Sequence, residues 1–169
     1  FVDAPYQVDK ISAQTFADWQ KKAADIALSL PELNPYIPDD FSLIKSDKKY
    51  DHPELIVDES NLRVVYAPSR YFASEPKADV SLILRNPKAM DSARNQVMFA
   101  LNDYLAGLAL DQLSNQASVG GISFSTNANN GLMVNANGYT QRLPQLFQAL
   151  LEGYFSYTAT EDQLEQAKS

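Results

Sequence analysis

Between Lys77 and Tyr157 the apolar residues recur with two alternating periods, and each change of period marks a predicted element. Ala78-Asp79-Val80-Ser81-Leu82-Ile83-Leu84 reads as an apolar strand. Val97, Leu101, Tyr104, Leu105 and Leu108 then follow at spacings of four, three, one and three. That stripe fits the 3.6-residue period and predicts a long helix pressing one face onto something flat. Asp91 or Ser92 can cap it, and it is expected to end near Ser118, before Gly120-Gly121. Ile122-Ser123-Phe124-Ser125-Thr126 and Leu132-Met133-Val134-Asn135-Ala136 alternate with a period of two and are joined through Asn129-Asn130-Gly131. Asn-Gly accepts the positive φ angles of a tight turn, so the two runs predict an antiparallel hairpin. A second helix carries Leu143, Leu146, Phe147, Leu150, Leu151 and Tyr154 on one face, with Pro144 in its first turn. The order strand, helix, hairpin, helix predicts an α+β unit with helices packed on one face of a mainly antiparallel sheet.

Upstream, Ser12 is a predicted N-cap for a helix carrying Phe16, Trp19, Ala23, Ile26, Ala27 and Leu30, which must stop near Leu30 because Pro31 follows. Pro31, Pro35 and Pro38 predict an extended segment pinned by Leu33, Tyr36, Ile37, Phe41, Leu43 and Ile44. Residues 45–53 are highly charged and read as a solvated loop. Two short β-prone runs, at 54–58 and 62–66, predict a small hairpin, and residues 68–76 form a turn-rich break. A domain boundary is therefore expected between Asp51 and Pro76. Thr160 and Gln163 form a capping box for a last helix that reads as cut off in mid-course. The first residue is Phe1, so any signal peptide would lie outside these residues. Both ends read as cuts in a longer polypeptide.

A 45% hydrophobic and 11% aromatic content suffices for a packed core. The net charge of -7, with no clustered basic surface, argues against a nucleic-acid partner. No run approaches the roughly 20 apolar residues of a membrane span. The chain has no cysteine, hence neither disulfide nor thiol nucleophile.

His52 is the only histidine, so a zinc site built on two or three histidines cannot be assembled here. It sits in a charged, proline-flanked stretch and reads as a solvated loop residue, not a positioned base. Gly120-Gly121 follows a helix and enters a strand, the reverse of a phosphate loop, and reads as a helix cap. Asn127, Asn129, Asn130, Asn135 and Asn137 read as turn chemistry plus one solvated strand face. Asp58 with Glu59 and Asp39 with Asp40 lack the apolar surroundings that separate the pKa values of an acid–base pair. Tyr154, Phe155 and Tyr157 read as core and interface. No residue is assigned a catalytic, cofactor or metal role.

Leu30-Pro31-Glu32-Leu33-Asn34-Pro35-Tyr36-Ile37-Pro38-Asp39-Asp40-Phe41 resembles the Leu-Pro-x-x-Asn-x-(Phe/Tyr)-Ile-Pro-x-x-Phe segment of the insulysin–pitrilysin family of inverted-motif zinc peptidases. The succession from Leu105 through Gly120-Gly121 and the hairpin to Arg142-Leu143-Pro144 is similar to the start of that family's third homologous domain. The resemblance implies an incomplete domain of the metallopeptidase LuxS/MPP-like fold. Residues 1–50 would be the tail of the preceding domain, 51–76 the connection between two halves, and 77–169 the start of the third, non-catalytic domain. It also implies a zinc endopeptidase that encloses peptides in a chamber, a periplasmic location, and a catalytic half of the same polypeptide as partner. Zinc ligands and the general base would come from a His-x-x-Glu-His motif and a distal Glu, none of which this chain carries. The chain alone is accordingly expected to be inactive. The alternative is a stand-alone binding or assembly module that reuses the same domain.

Overall fold

A computed structural model describes residues 5–24, 26, 30, 32–45, 51–69, 71–128 and 131–168. The chain divides into two compact units, Phe1–Leu33 and Asn34–Ser169. In the first, helix α1 spans Ala13–Ala24. The Ser12 hydroxyl accepts from the Thr15 backbone N–H at 3.0 Å, the cap that the sequence predicts. The helix ends at Ala24, with Ile26 in a bend and Leu30 outside any helix, short of the stop expected near Leu30.

In the second unit, β1 (Glu54–Asp58) and β2 (Arg63–Tyr66) form the small antiparallel hairpin, with a bulge between Leu55 and Val57. Strand β3 (Lys77–Leu84) belongs to a separate three-stranded antiparallel sheet with β4 (Ile122–Ala128) and β5 (Leu132–Tyr139). The order is β3-β5-β4, so the last strand in sequence is the central one. Leu84 pairs with Leu132 and Lys77 with Tyr139; on the other side Ile122 pairs with Gly138. The predicted hairpin is thus present, while its turn residues Asn129 and Asn130 lie outside the described residues.

After a 3-10 turn over Pro87–Met90 come α2 (Ala93–Ala109) and α3 (Asp111–Val119), then α4 (Leu143–Ser156) after the sheet and α5 (Glu161–Lys168). Ser92 is the cap of α2, its hydroxyl accepting from the Asn95 N–H at 3.2 Å. The single long helix expected up to Ser118 is instead two. Leu110 leaves helical geometry at φ -91° and ψ 1°, its N–H shared between the carbonyls of Ala106 and Gly107. Asp111 opens α3, where a carboxylate complements the helix N-terminus. Gly121 takes φ +72° after α3, supplying the left-handed residue expected of the Gly-Gly pair. Thr160 and Gln163 cap α5 reciprocally, the Gln163 N–H reaching the Thr160 hydroxyl at 3.3 Å and the Thr160 N–H reaching Gln163 Oε1 at 2.9 Å.

The helices cover one face of the sheet, with α4 against β5 and with α2 and α3 against β4. The fold is α+β. Inward-facing Ile122, Leu132, Val134 and Ala136 meet Leu143, Leu146, Leu150 and Tyr154 of α4. Ile122, Val134, Leu146 and Leu150 are the largest fully buried side chains, each contributing roughly 1.5–3 kcal/mol. The α4 stripe therefore buries the face its period predicts.

The α2 stripe does not. Leu105 is buried, but Val97, Tyr104 and Leu108 are exposed, while Ala106 and Leu110 enter the core with Phe99 partly buried beside them. Helix α2 leans on α4 and α5 as well as on β4, and the small Ala106 side chain lets it approach closely.

Candidate functional site

Of the apolar residues expected to pin the proline-rich segment, Tyr36 is buried while Leu33, Ile37, Phe41, Leu43 and Ile44 are exposed, so polar contacts share in holding it on the helix-and-sheet unit. Asn34 donates from Nδ2 to the Gln116 carbonyl at 2.7 Å, and its Oδ1 accepts from the Tyr36 N–H at 3.0 Å. Tyr36 is buried beside Ala117, Ile122 and Leu146, and Phe41 meets the Tyr139 ring edge-on at 5.0 Å. Gln141 Oε1 accepts from the backbone N–H groups of Asp39 and Asp40, and Arg142 pairs with the Asp39 carboxylate at 3.2 Å. The Gln141 amide, and secondarily the Arg142 guanidinium, hold the Asp39 carboxyl below the usual carboxylate range.

Because Asp39 titrates lower when the segment is docked, docking is fully supported above the unfolded value of about pH 4 and weakens as pH falls through the lower, docked value. Proteolytic nicking of residues 34–45 should therefore rise in acid, and Asp39→Asn should flatten that pH dependence. An acid response unchanged in Asp39→Asn would remove Asp39 as its source.

The sheet face turned away from the helices is mainly polar, with Ile83 and Met133 exposed at one end. Across β3, β5 and β4 its rows are Asp79–Asn137–Ser123, Ser81–Asn135–Ser125 and Ile83–Met133–Asn127, with Lys77 beside Tyr139 at one end. Ser81 donates its hydroxyl to Asn135 Oδ1 at 2.8 Å, and Ser123 donates to Asn137 Oδ1 at 2.9 Å. These two bonds run from the outer strands onto β5 and leave both asparagine Nδ2 groups without a protein acceptor among the described residues. Asn135 and Asn137 thus sit on the solvated strand face that the sequence indicates. The serine partners were not legible, because pairing them requires the register.

The remaining sequence candidates are dispersed. His52 is exposed in a bend before β1. Asp58 is paired with Arg63 at 2.9 Å, and Asp40 accepts from the Ser42 N–H at 2.8 Å. Gly120 caps α3. Among the described residues no group of three His, Cys, Asp or Glu side chains could hold a metal ion. Nor is any helix among them long and apolar enough to cross a membrane.

Of the three aromatics, Phe155 is exposed and meets Tyr154 edge-on at 5.4 Å, and Tyr157 donates to Gln163 Oε1 at 3.1 Å. Tyr154 is buried and donates its hydroxyl to Asp103 Oδ1 at 3.0 Å, joining α4 to α2. Burial, and then the Asp103 charge, push the tyrosine pKa well above its ordinary value, so it stays a donor across the working pH range. Tyr154→Phe should cost about 1.5–3 kcal/mol, since it strips a donor from a half-buried carboxylate. Thermal unfolding of the two proteins compares them directly; equal midpoints would show the bond adds nothing.

A family model for the middle or third domain of peptidase M16 matches residues 1–169. The chain belongs to the peptidase M16 family. It is 99% identical over all its 169 residues to Protease 3 of Escherichia coli strain K12, and 85% identical to Protease 3 of Salmonella typhi. It is 31% identical over 150 residues, 86% of its length, to the peroxisomal insulin-degrading enzyme-like 1 of Arabidopsis thaliana, covering 15% of that protein. Among solved structures, the crystal structure of pitrilysin matches with a TM-score of 0.86 and 99% identity, over 99% of this chain and 18% of that one. The chain spans 18% of the length of the Protease 3 relatives. The resemblance to the insulysin–pitrilysin peptidases drawn from the proline-rich segment and the helix-hairpin-helix succession is thereby borne out.

Proposed function

We propose that this M16 chain is a non-catalytic middle segment of a zinc-dependent endopeptidase, forming part of a chamber wall and the connection between its two halves. One observation carries the reading: the β3-β5-β4 sheet is sealed by helices on one face and presents mainly hydroxyls and amides on the other, beside an exposed Ile83–Met133 pair. A wall needs that asymmetry, a dry side that holds it together and a wet side that faces the contents. The β1–β2 hairpin and the turn-rich residues 68–76 fit a connection, with residues 1–50 the tail of the preceding domain and the third domain starting at Lys77.

This chain's own residues do not fit zinc. His52 is its single histidine, the His-x-x-Glu-His motif is absent, and no cluster of ligands forms among the described residues. The metal chemistry therefore belongs to the remainder of the longer polypeptide, with peptides as substrates and the periplasm as its location. The test compares cleavage of a fluorogenic peptide by the chain alone and by the longer polypeptide, each with zinc and with a chelator. Chelator-sensitive turnover by the longer polypeptide and silence from the chain alone are expected. Zinc-dependent turnover by the chain alone would overturn the assignment.

A further inference from the structure

We propose that Asn135 and Asn137 form a short rail of amide donors that holds the main chain of an extended peptide against the open sheet face. The inference rests on the reading of that face as chamber wall and adds what it touches. Both residues lie on β5 two positions apart, so their side chains share one face at a separation of about 6.8 Å. Alternate carbonyls along one edge of an extended peptide repeat at that same interval. Each asparagine has its carboxamide oxygen taken by a serine hydroxyl, from Ser81 on β3 and from Ser123 on β4. Those bonds turn the Asn135 oxygen toward β3 and the Asn137 oxygen toward β4, fix both amides, and leave their N–H groups as donors without a protein acceptor among the described residues. Pre-oriented donors lose little freedom on binding.

The occupant follows from the chemistry of the face. Lys77 and Asp79 are its charged positions among the rows built by the three strands, both at one end. Lys77 lies 3.5 Å from Glu75 and over the Tyr139 ring, so the face lacks the cationic field a nucleic acid requires. Serine is depleted at the centre of protein–protein interfaces, which disfavours a folded domain seated on Ser81, Ser123 and Ser125. The peptide main chain is uncharged and rich in acceptors, and it matches a neutral donor face whatever side chains it carries. Binding through it is independent of substrate sequence.

The experiment uses the longer polypeptide. The chain contains no cysteine, and Ser125 is exposed directly across from Asn135 on β4. Ser125→Cys therefore places a thiol beside the rail, and its reaction with a maleimide is counted over the unsubstituted protein. With the enzyme arrested by a chelator, labelling should proceed freely and slow about threefold or more when saturating peptide is added. Labelling blocked with and without peptide would mean another part of the protein covers the face, overturning the wall itself. Labelling that peptide does not slow would leave the wall standing and overturn the rail. In a second measurement, Asn135→Asp with Asn137→Asp keeps the shape and the serine bonds but replaces both donors by acceptors. KM should rise roughly three- to tenfold for two peptides of unrelated sequence, with kcat changed less than about twofold. An unchanged KM would overturn the rail even if labelling had slowed.

Discussion

Gly120→Ala is expected to lift the proline-rich segment off the helix-and-sheet unit. A Cβ at Gly120 would lie 2.2 Å from the Tyr36 carbonyl oxygen and 2.7 Å from its carbon, both backbone atoms that no rotamer change can move. Either residues 34–41 rise or the junction of α3 and β4 shifts. Lifting exposes Tyr36 and breaks the bond from Asn34 to the Gln116 carbonyl. Tyrosine burial and one hydrogen bond together set a cost of about 3 kcal/mol. Amide exchange over residues 34–41, measured in the longer polypeptide, should then accelerate by roughly a hundredfold. The same substitution at Gly107, inside α2, has the opposite expected sign. No atom lies within 4 Å of a Cβ built there, so alanine should stabilise by about 0.5–1 kcal/mol through helix propensity alone. Similar exchange in the two variants would mean that Gly120 is not chosen for the approach of Tyr36.

Leu146→Ala should be the costliest truncation on α4. Leu146 is fully buried among Tyr36, Ala117, Ile122, Ala136 and Leu143, which come from the docked segment, α3, both hairpin strands and α4 itself. A cavity at a meeting of so many elements cannot be closed by moving one of them, so the loss belongs near 3–4 kcal/mol, within the range for buried leucines. Exchange protection at Ile122 and Ala136 reads it locally. Phe155→Ala, on the exposed side of the same helix at 62% exposure, should change stability by no more than about 0.5 kcal/mol. Equal losses from the two would contradict the assigned face.

What could be read from the residues divides according to whether the signal was local. The hairpin and α4 were legible because a period of two and a one-sided stripe each leave a single face to bury. Helix α2 and its Ser92 cap were legible, but its buried face was not: Val97, Met98, Phe99, Leu101, Tyr104, Leu105 and Leu108 spread around the helix and leave that face ambiguous. Its contact also passes through Ala106, which carries little weight in an apolar pattern. The break at Leu110 has no proline or glycine at the break itself to announce it. The proline-rich segment was read as extended but turns at Pro35–Tyr36, and its landing place depends on partners 82 and 102 residues away, Gln116 and Gln141. On the open face, the asparagines were legible as solvated strand positions. The serines that aim them come from other strands, and only register brings these together.

The strand order has a consequence for synthesis. Strand β5 lies between β3 and β4, yet it leaves the ribosome after both. About 50 residues separate Leu84 from its partner Leu132, so at roughly 5–20 residues per second β3 waits several seconds without its neighbour. For most of that interval β3 alone waits unpaired, joined by β4 only just before β5 follows, and Val80, Leu82 and Ile83 make β3 adhesive. Until β5 emerges, the edge of β3 that it will cover keeps its backbone N–H and C=O groups unpaired.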